Sequence, residues 1–157
     1  MTKLNYSLEE RIPYLTNRLA SAINELFSRD LSEYDLTIAN WRVLTILHDF
    51  GEQKLIDLSL HTSIDASTLS RTTEAMCRRR LITKARSKQS KREIVVSLAN
   101  RGKDLVEALT PRALEYEATI LKGLPTRDVE RTREMLRLMY ERIIQLRGVN
   151  ANRNAKS

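Results

Sequence analysis

Between residues 9 and 29 the apolar positions fall at Ile12, Leu15, Leu19, Ile23 and Leu26, spacings that put them on one face of a helix. Pro13 belongs in or near the first turn, because deeper inside it would break the backbone ladder. Ser7 to Glu10 has the form of a capping box. A second helix is predicted from Leu36-Thr37, with Thr37 as N-cap, Trp41, Leu44 and Leu47 or His48 inward, and Gly51 at its end. A short third helix covers about residues 54–61, with Leu55 and Leu58 inward. Thr62-Ser63-Ile64 makes a tight connection, and Asp65 caps a fourth helix running to about Arg79. After Leu81 the period changes to two. Residues 82–86 and 92–98 read as strands, with Ile94, Val96 and Leu98 on one face and a polar tip from Ser87 to Lys91 between them. Helix resumes over 100–122, where Pro111 is expected to kink or interrupt it. Gly123-Leu124-Pro125 is a break, and Thr126 caps a last helix whose Leu136, Met139, Ile143 and Leu146 keep coiled-coil-like spacings. Residues 148–157 are small and polar and are expected to form a disordered tail.

The pattern predicts a mainly α fold with one small β-hairpin. Residues 36–99 form a helix-turn-helix followed by the hairpin, and residues 7–30 and 100–147 are the helical flanks. Those flanks hold more apolar residues than one stripe needs. Leu4, Leu8 and Phe27 at one end, with Met135, Leu138 and Ile144 at the other, predict a second contact surface. A helix apolar on two faces is buried in a bundle or between subunits, so the flanks read as a dimerisation element; the alternative is one thicker core within a single chain.

Charge sharpens this. The chain of 157 residues carries 27 Lys+Arg and 20 Asp+Glu, a net of +7. From Asp65 to Asp104 there are eleven bases and four acids, so this segment alone accounts for +7. Such concentration is the footprint of a polyanion binder, with a merely solvated charged face as the alternative. The same segment contains no Phe, Tyr or Trp. Single-strand binders present aromatic platforms for stacking, so duplex DNA is favoured.

Composition excludes other classes. At 41% hydrophobic and 30% charged the chain is neither disordered nor membrane-embedded, and no apolar run approaches the roughly 18 residues of a membrane span. The N-terminal stretch has no apolar signal core, and the single cysteine, Cys77, fits a reducing compartment; a cytoplasmic location is expected. Glycine stands only at positions 51, 102, 123 and 148, so no phosphate-cradling loop is present. No nucleophile–base arrangement, carboxylate pair or cofactor loop suggests an enzyme, and no cofactor is expected.

On the fourth helix, Leu69 and Met76 lie on one side, flanked by Thr72 and Thr73. Ser67, Arg71, Glu74 and Arg78 lie opposite, with Thr68 and Ser70 at the edges. A short polar and basic face suits a major groove, where Arg71 reaches guanine O6/N7 or clamps a phosphate. Lys88, Lys91 and Arg92 stand at or beside the hairpin tip, placed to follow phosphates or enter a minor groove. Arg78, Arg79, Arg80, Lys84 and Arg86 link the two elements.

From about residue 36 to 109 the chain resembles the MarR family of bacterial winged-helix transcription regulators. The resemblance rests on Leu36-Thr37 followed by Trp41 to Leu44, on Leu58 through Asp65 to Arg71, on Leu81-Ile82 and the wing, and on Leu98 before Gly102. It implies a winged helix-turn-helix held in a homodimer by interlocking N- and C-terminal helices. It also implies binding to a pseudo-palindromic double-stranded operator, usually as a repressor released by a small ligand or oxidant. By position it assigns DNA contact to Ser67, Thr68, Ser70, Arg71 and Arg92. Three positions depart from the family pattern. Ser90-Lys91-Arg92 replaces the usual Asp-x-Arg of the wing, and Arg80 stands where glycine is usual, a strained choice if φ there is positive. Ala99 replaces the threonine that usually opens the next helix, which makes Asn100 a possible cap.

Ligands in this family often lie between the dimer helices and the winged domain, which makes Tyr14, Arg18 and Trp41 candidates for an aromatic, anionic effector; the plainer reading is a core tryptophan and a surface cation. Cys77, beside Arg78 to Arg80, is either a redox-responsive thiol or a packing residue. His48, His61 and Cys77 have no paired spacing, and no metal is expected. The competing function is a winged-helix protein without sequence specificity, architectural or RNA-binding.

Overall fold

The computed structural model describes residues 7–87 and 93–154, with side chains to Leu146. After a single 3-10 turn, Leu8–Glu10, the elements are α1 (Ile12–Ser32), α2 (Ile38–Phe50), β1 (Gln53–Lys54), α3 (Leu55–Thr62), α4 (Ala66–Arg78), β2 (Ile82–Arg86), β3 (Ile94–Leu98), α5 (Asn100–Leu121) and α6 (Thr126–Asn154). This is the mainly helical winged fold expected, with one addition. Lys54 was assigned to the start of the third helix, yet with Gln53 it forms a short strand on β3 (Gln53 opposite Val96, Lys54 opposite Val95). The sheet is therefore three-stranded and antiparallel, in the order β1-β3-β2. Two residues are too few to display a period, so only the partner strand reveals them. The chain divides into two compact units, Met1–Ala113 and Leu114–Ser157.

The first unit is built around Leu31, Val43, Leu44, Leu58, Leu69, Met76, Leu81 and Val96, all fully buried. Thr37 caps α2 as expected: its hydroxyl accepts from the Asn40 N–H at 3.2 Å while Asn40 Oδ1 accepts from the Thr37 N–H at 3.0 Å. Val43 and Leu47 are buried, Trp41 is half-buried, and His48 is exposed. The box expected at Ser7 is absent, because the Ser7 side chain makes no capping bond and α1 starts at Ile12 with Pro13 in its first turn.

The apolar stripe of α1 plays a different part from the one its spacing suggests. Ile12, Leu15, Leu19 and Leu26 are exposed, Leu19 by 54%, whereas Phe27 and Leu31 enter the core. Phe27, read as part of a second surface, packs edge-on against Trp41 at 5.3 Å between centroids. Helical spacing says which residues share a face; it does not say what covers that face. In the second unit Met135, Leu136, Leu138, Ile143, Ile144 and Leu146 of α6 are likewise exposed.

Helix α5 is not interrupted at Pro111. Proline removes one donor, that for the carbonyl of Glu107; both residues are exposed, so water can serve that carbonyl. Thr126 is the first residue of α6 rather than its cap, and the first helical bond runs from the Val129 N–H to the Pro125 carbonyl at 3.1 Å. Asn100 is likewise the first residue of α5, whose first bond runs from Lys103 to the Ala99 carbonyl. Helix α6 continues past the expected boundary at residue 147 to Asn154, where a disordered tail was expected from residue 148.

The end of α4 carries the strain foreseen for it. Leu81 N–H bonds the Met76 carbonyl at 3.0 Å and Arg80 N–H that of Cys77 at 2.9 Å, a closing turn that places Arg80 at φ 58°. Glycine occupies such a position without steric cost. Arg80→Gly is therefore expected to stabilise the protein by about 1 kcal/mol, measured as a higher urea midpoint at unchanged slope; a lower midpoint would show that the Arg80 side chain contributes more than its backbone loses.

Candidate nucleic-acid interface

Helices α3 and α4 meet through a turn made tight by local bonds. Ser63 takes the left-handed conformation (φ 55°, ψ 30°) at the end of α3. Ser59 Oγ donates to the Ile64 carbonyl at 2.6 Å, and the buried Thr62 hydroxyl donates to that of Leu58 at 2.7 Å. Asp65 then opens α4, its Oδ1 accepting from the Thr68 N–H at 2.9 Å and from the Ser67 hydroxyl at 2.6 Å. These bonds hold the Asp65 carboxyl well below the usual carboxylate range, the Ser67 hydroxyl contributing most. A lowered pKa stabilises the folded state at every pH above the ordinary value near ~3.9. That contribution is lost as pH falls through the folded value. Below about pH 4, stability is thus expected to decline more steeply in the wild type than in Asp65→Asn, which caps without titrating. Denaturant midpoints against pH for both proteins test this; parallel curves would remove Asp65 from the acid response.

Leu69, Thr73 and Met76 bury the inner side of α4, and Thr73 satisfies its hydroxyl on the Leu69 carbonyl at 2.8 Å. Ser67, Thr68, Arg71, Glu74 and Arg78 are exposed on the outer side and Ser70 is half-buried at its edge. Five of the expected contact residues, Ser67, Thr68, Ser70, Arg71 and Arg78, are thus brought onto one helix. Ser67 spends its proton on Asp65, so toward a nucleic acid its oxygen is an acceptor. Arg78 lies about 16 Å along the axis from Ser67, at the far end of the helix. Lys88, Lys91 and Arg92 lie outside the described residues.

Below the tip the wing is a regular ladder, from Ile82 opposite Leu98 to Arg86 opposite Ile94. Val96 is buried at its middle while Ile94, on the same face, is exposed near the tip. Two contacts tie the wing stem to the segment before α3, and neither was foreseen. Lys54 Nζ pairs with Glu93 Oε1 at 3.0 Å, and Ser97 Oγ donates to Glu52 Oε2 at 3.3 Å. The Lys54 pKa is raised, chiefly by its hydrogen bond to Glu93 and by that carboxylate's charge.

Not every base in the charged segment faces outward. Arg79, expected to link helix and wing, instead donates from Nη1 to the Asp35 carbonyl at 2.6 Å and from Nη2 to the Tyr34 carbonyl at 3.0 Å. Arg101 Nη1 donates to the Arg79 carbonyl at 3.3 Å. No periodicity announces such bonds, because their partners lie 22 to 45 residues away.

The three effector candidates do not converge within one chain. Arg18 lies 5.5 Å from the Tyr14 ring centroid, with Nη1 donating to the Tyr14 hydroxyl at 3.4 Å. Trp41 packs on Phe27, about 20 Å further along α1 than Tyr14. Cys77 is half-buried. No cluster of three or more potential metal ligands occurs among the described residues, and no described helix is long and apolar enough to cross a membrane.

The winged unit coincides with a known family. Residues 36–94 match the model of the MarR family. Over 130 residues, 83% of this chain and 78% of its relative, the sequence is 26% identical to the HTH-type transcriptional repressor IacR of Pseudomonas putida. The solved structure of Bordetella bronchiseptica BpsR, whose DNA binding is regulated by 6-hydroxynicotinic acid, superposes with a TM-score of 0.73 at 27% identity, covering 83% of this chain and 99% of that one. Over its winged unit the chain is similar to the MarR family. A further MarR-family regulator, from Silicibacter pomeroyi, shares the fold with a TM-score of 0.80 at 22% identity, over 85% of this chain and 90% of its own. The match to the family model spans α2 to the start of β3, the stretch that carries the α3–α4 turn, the Asp65 cap and the outer face of α4.

Proposed function

We propose that this protein is a MarR-family, sequence-specific transcriptional repressor that binds a pseudo-palindromic duplex operator as a homodimer. A small, aromatic anionic effector releases it. The reading is carried by the outer side of α4, where Thr68, Arg71 and Arg78 stand exposed on a helix whose opposite side is buried. That is the display needed for a helix laid in a major groove. The absence of aromatic residues from the basic segment favours duplex over single strands. The exposed apolar stripes of α1 and α6 support a dimer, because contiguous apolar surface marks an interaction site. The effector rests on Tyr14 and Arg18, an aromatic ring and a cation held together, and on BpsR, whose regulator is an aromatic carboxylic acid. IacR supports the sign of regulation.

Selection of bound sites from random duplex DNA at near-physiological salt, with footprinting of the product, tests this. An inverted repeat with half-sites about one helical turn apart is expected. No enriched motif, with binding that collapses as salt rises, would leave a non-specific polyanion binder. Truncation before Thr126 is expected to give a monomer on sedimentation; a persistent dimer would place the interface elsewhere.

A further inference from the structure

We infer that Arg79 is a positioning residue that sets which half-site spacing the protein accepts, by indexing the recognition helix to α1. The inference rests on the dimeric, operator-reading function proposed above. Arg79 follows the last residue of α4 and makes no use of that helix's outer face. Its guanidinium reaches two successive carbonyls, Tyr34 and Asp35, in the turn that leaves α1. That turn is itself fixed: Leu36 N–H bonds the Leu31 carbonyl at 2.9 Å, and Asp35 takes φ 53°. A helix C-terminus attracts a cation, and a planar fork bonded at both prongs constrains direction as well as distance, which an ammonium does not. The Arg79 carbonyl in turn receives Arg101 from the first turn of α5. One residue therefore joins the end of α4 to the end of α1 and the start of α5, all within one compact unit.

The consequence follows from what α1 carries. Its Ile12, Leu15 and Leu19 stripe is exposed along the helix, the surface proposed to meet a second copy. In such a dimer the separation and tilt of the two recognition helices are transmitted from α1 through the Arg79 fork. Each base pair inserted between half-sites turns one of them by about 35° and shifts it by about 3.4 Å. A rigid fork makes the protein intolerant of that change, and a loosened one makes it tolerant.

The test uses the selected operator and versions with its spacer lengthened or shortened by one base pair. Wild type is expected to lose about tenfold or more on either altered spacer, the scale of one mismatched base pair. Arg79→Ala is expected to bind the optimal spacer more weakly and to lose less than about threefold on the others, with dimerisation, non-specific affinity and salt slope unchanged. Arg79→Lys keeps the charge without the fork and is expected to fall between them; if Arg79→Ala does not fold, Arg79→Lys and Arg101→Ala carry the comparison. Spacer discrimination undiminished in these variants would reduce Arg79 to a stabilising clamp. A uniform loss on all DNA with a flatter salt slope would make it a phosphate contact. Either result overturns the inference. A wild type without any site preference would instead overturn the operator-reading function, and the inference with it.

Discussion

Gly102→Ala is expected to destabilise the protein by about 3 kcal/mol, at the upper end of what overpacking costs. The reason is contact rather than backbone freedom. A Cβ at this buried position falls against the Leu81 carbonyl oxygen, far inside contact distance, and within 2.9 Å of a Leu98 methyl and 3.1 Å of a Leu44 methyl. The carbonyl is the unforgiving neighbour, because it already accepts the Ala99 N–H at 3.1 Å and belongs to the backbone leading into β2. Relief requires α5 to move off the sheet. Gly51 and Gly123 make the control. Both face open space at positive φ, so alanine there meets only a backbone penalty: about 1–2 kcal/mol at Gly123 (φ 83°), and about 1–3 kcal/mol at Gly51, whose φ 74° and ψ −157° fall in a region nearly reserved for glycine. Urea unfolding of the three variants tests the ordering; a Gly102→Ala midpoint no lower than the other two would mean that α5 yields easily at its start.

Arg71→Ala is expected to cost about 1–3 kcal/mol in operator affinity and to relax preference at one base-pair position. Arg71 is exposed on α4, six residues beyond the Asp65 cap. From there a bidentate guanidinium can meet a guanine edge. Binding measured against every single-base variant of the operator separates the roles. A loss that falls equally on all sequences, with a reduced salt slope, would make Arg71 a phosphate contact.

Caps and turns were readable where their partners are near in sequence. Thr37 and Asp65 stand within three residues of the groups they bond, so residue type and spacing announce them. The polar and basic side of α4 was readable for the same reason, since a helix repeats locally. Longer-range relations were not. The spacing put the α1 stripe on one face without saying what covers it, and Phe27, read as part of a second surface, packs inward with Leu31 while the stripe is largely exposed. Arg79 was counted with the bases that link helix to wing, although its donors serve the turn after α1. Strand β1 exists only because β3 lies beside it.

By itself the sequence determined the helix-turn-helix, the strands of the wing, the outward residues of the recognition helix and the concentration of positive charge around them. These follow from local periodicity, capping chemistry and composition. The tertiary structure decided which apolar face is covered, which of the clustered arginines is free to meet an anion, and why residue 102 must lack a side chain. Each of those depends on atoms far away in the chain, and a hydrogen-bond partner or a steric neighbour at such distance leaves no trace in the spacing of residues.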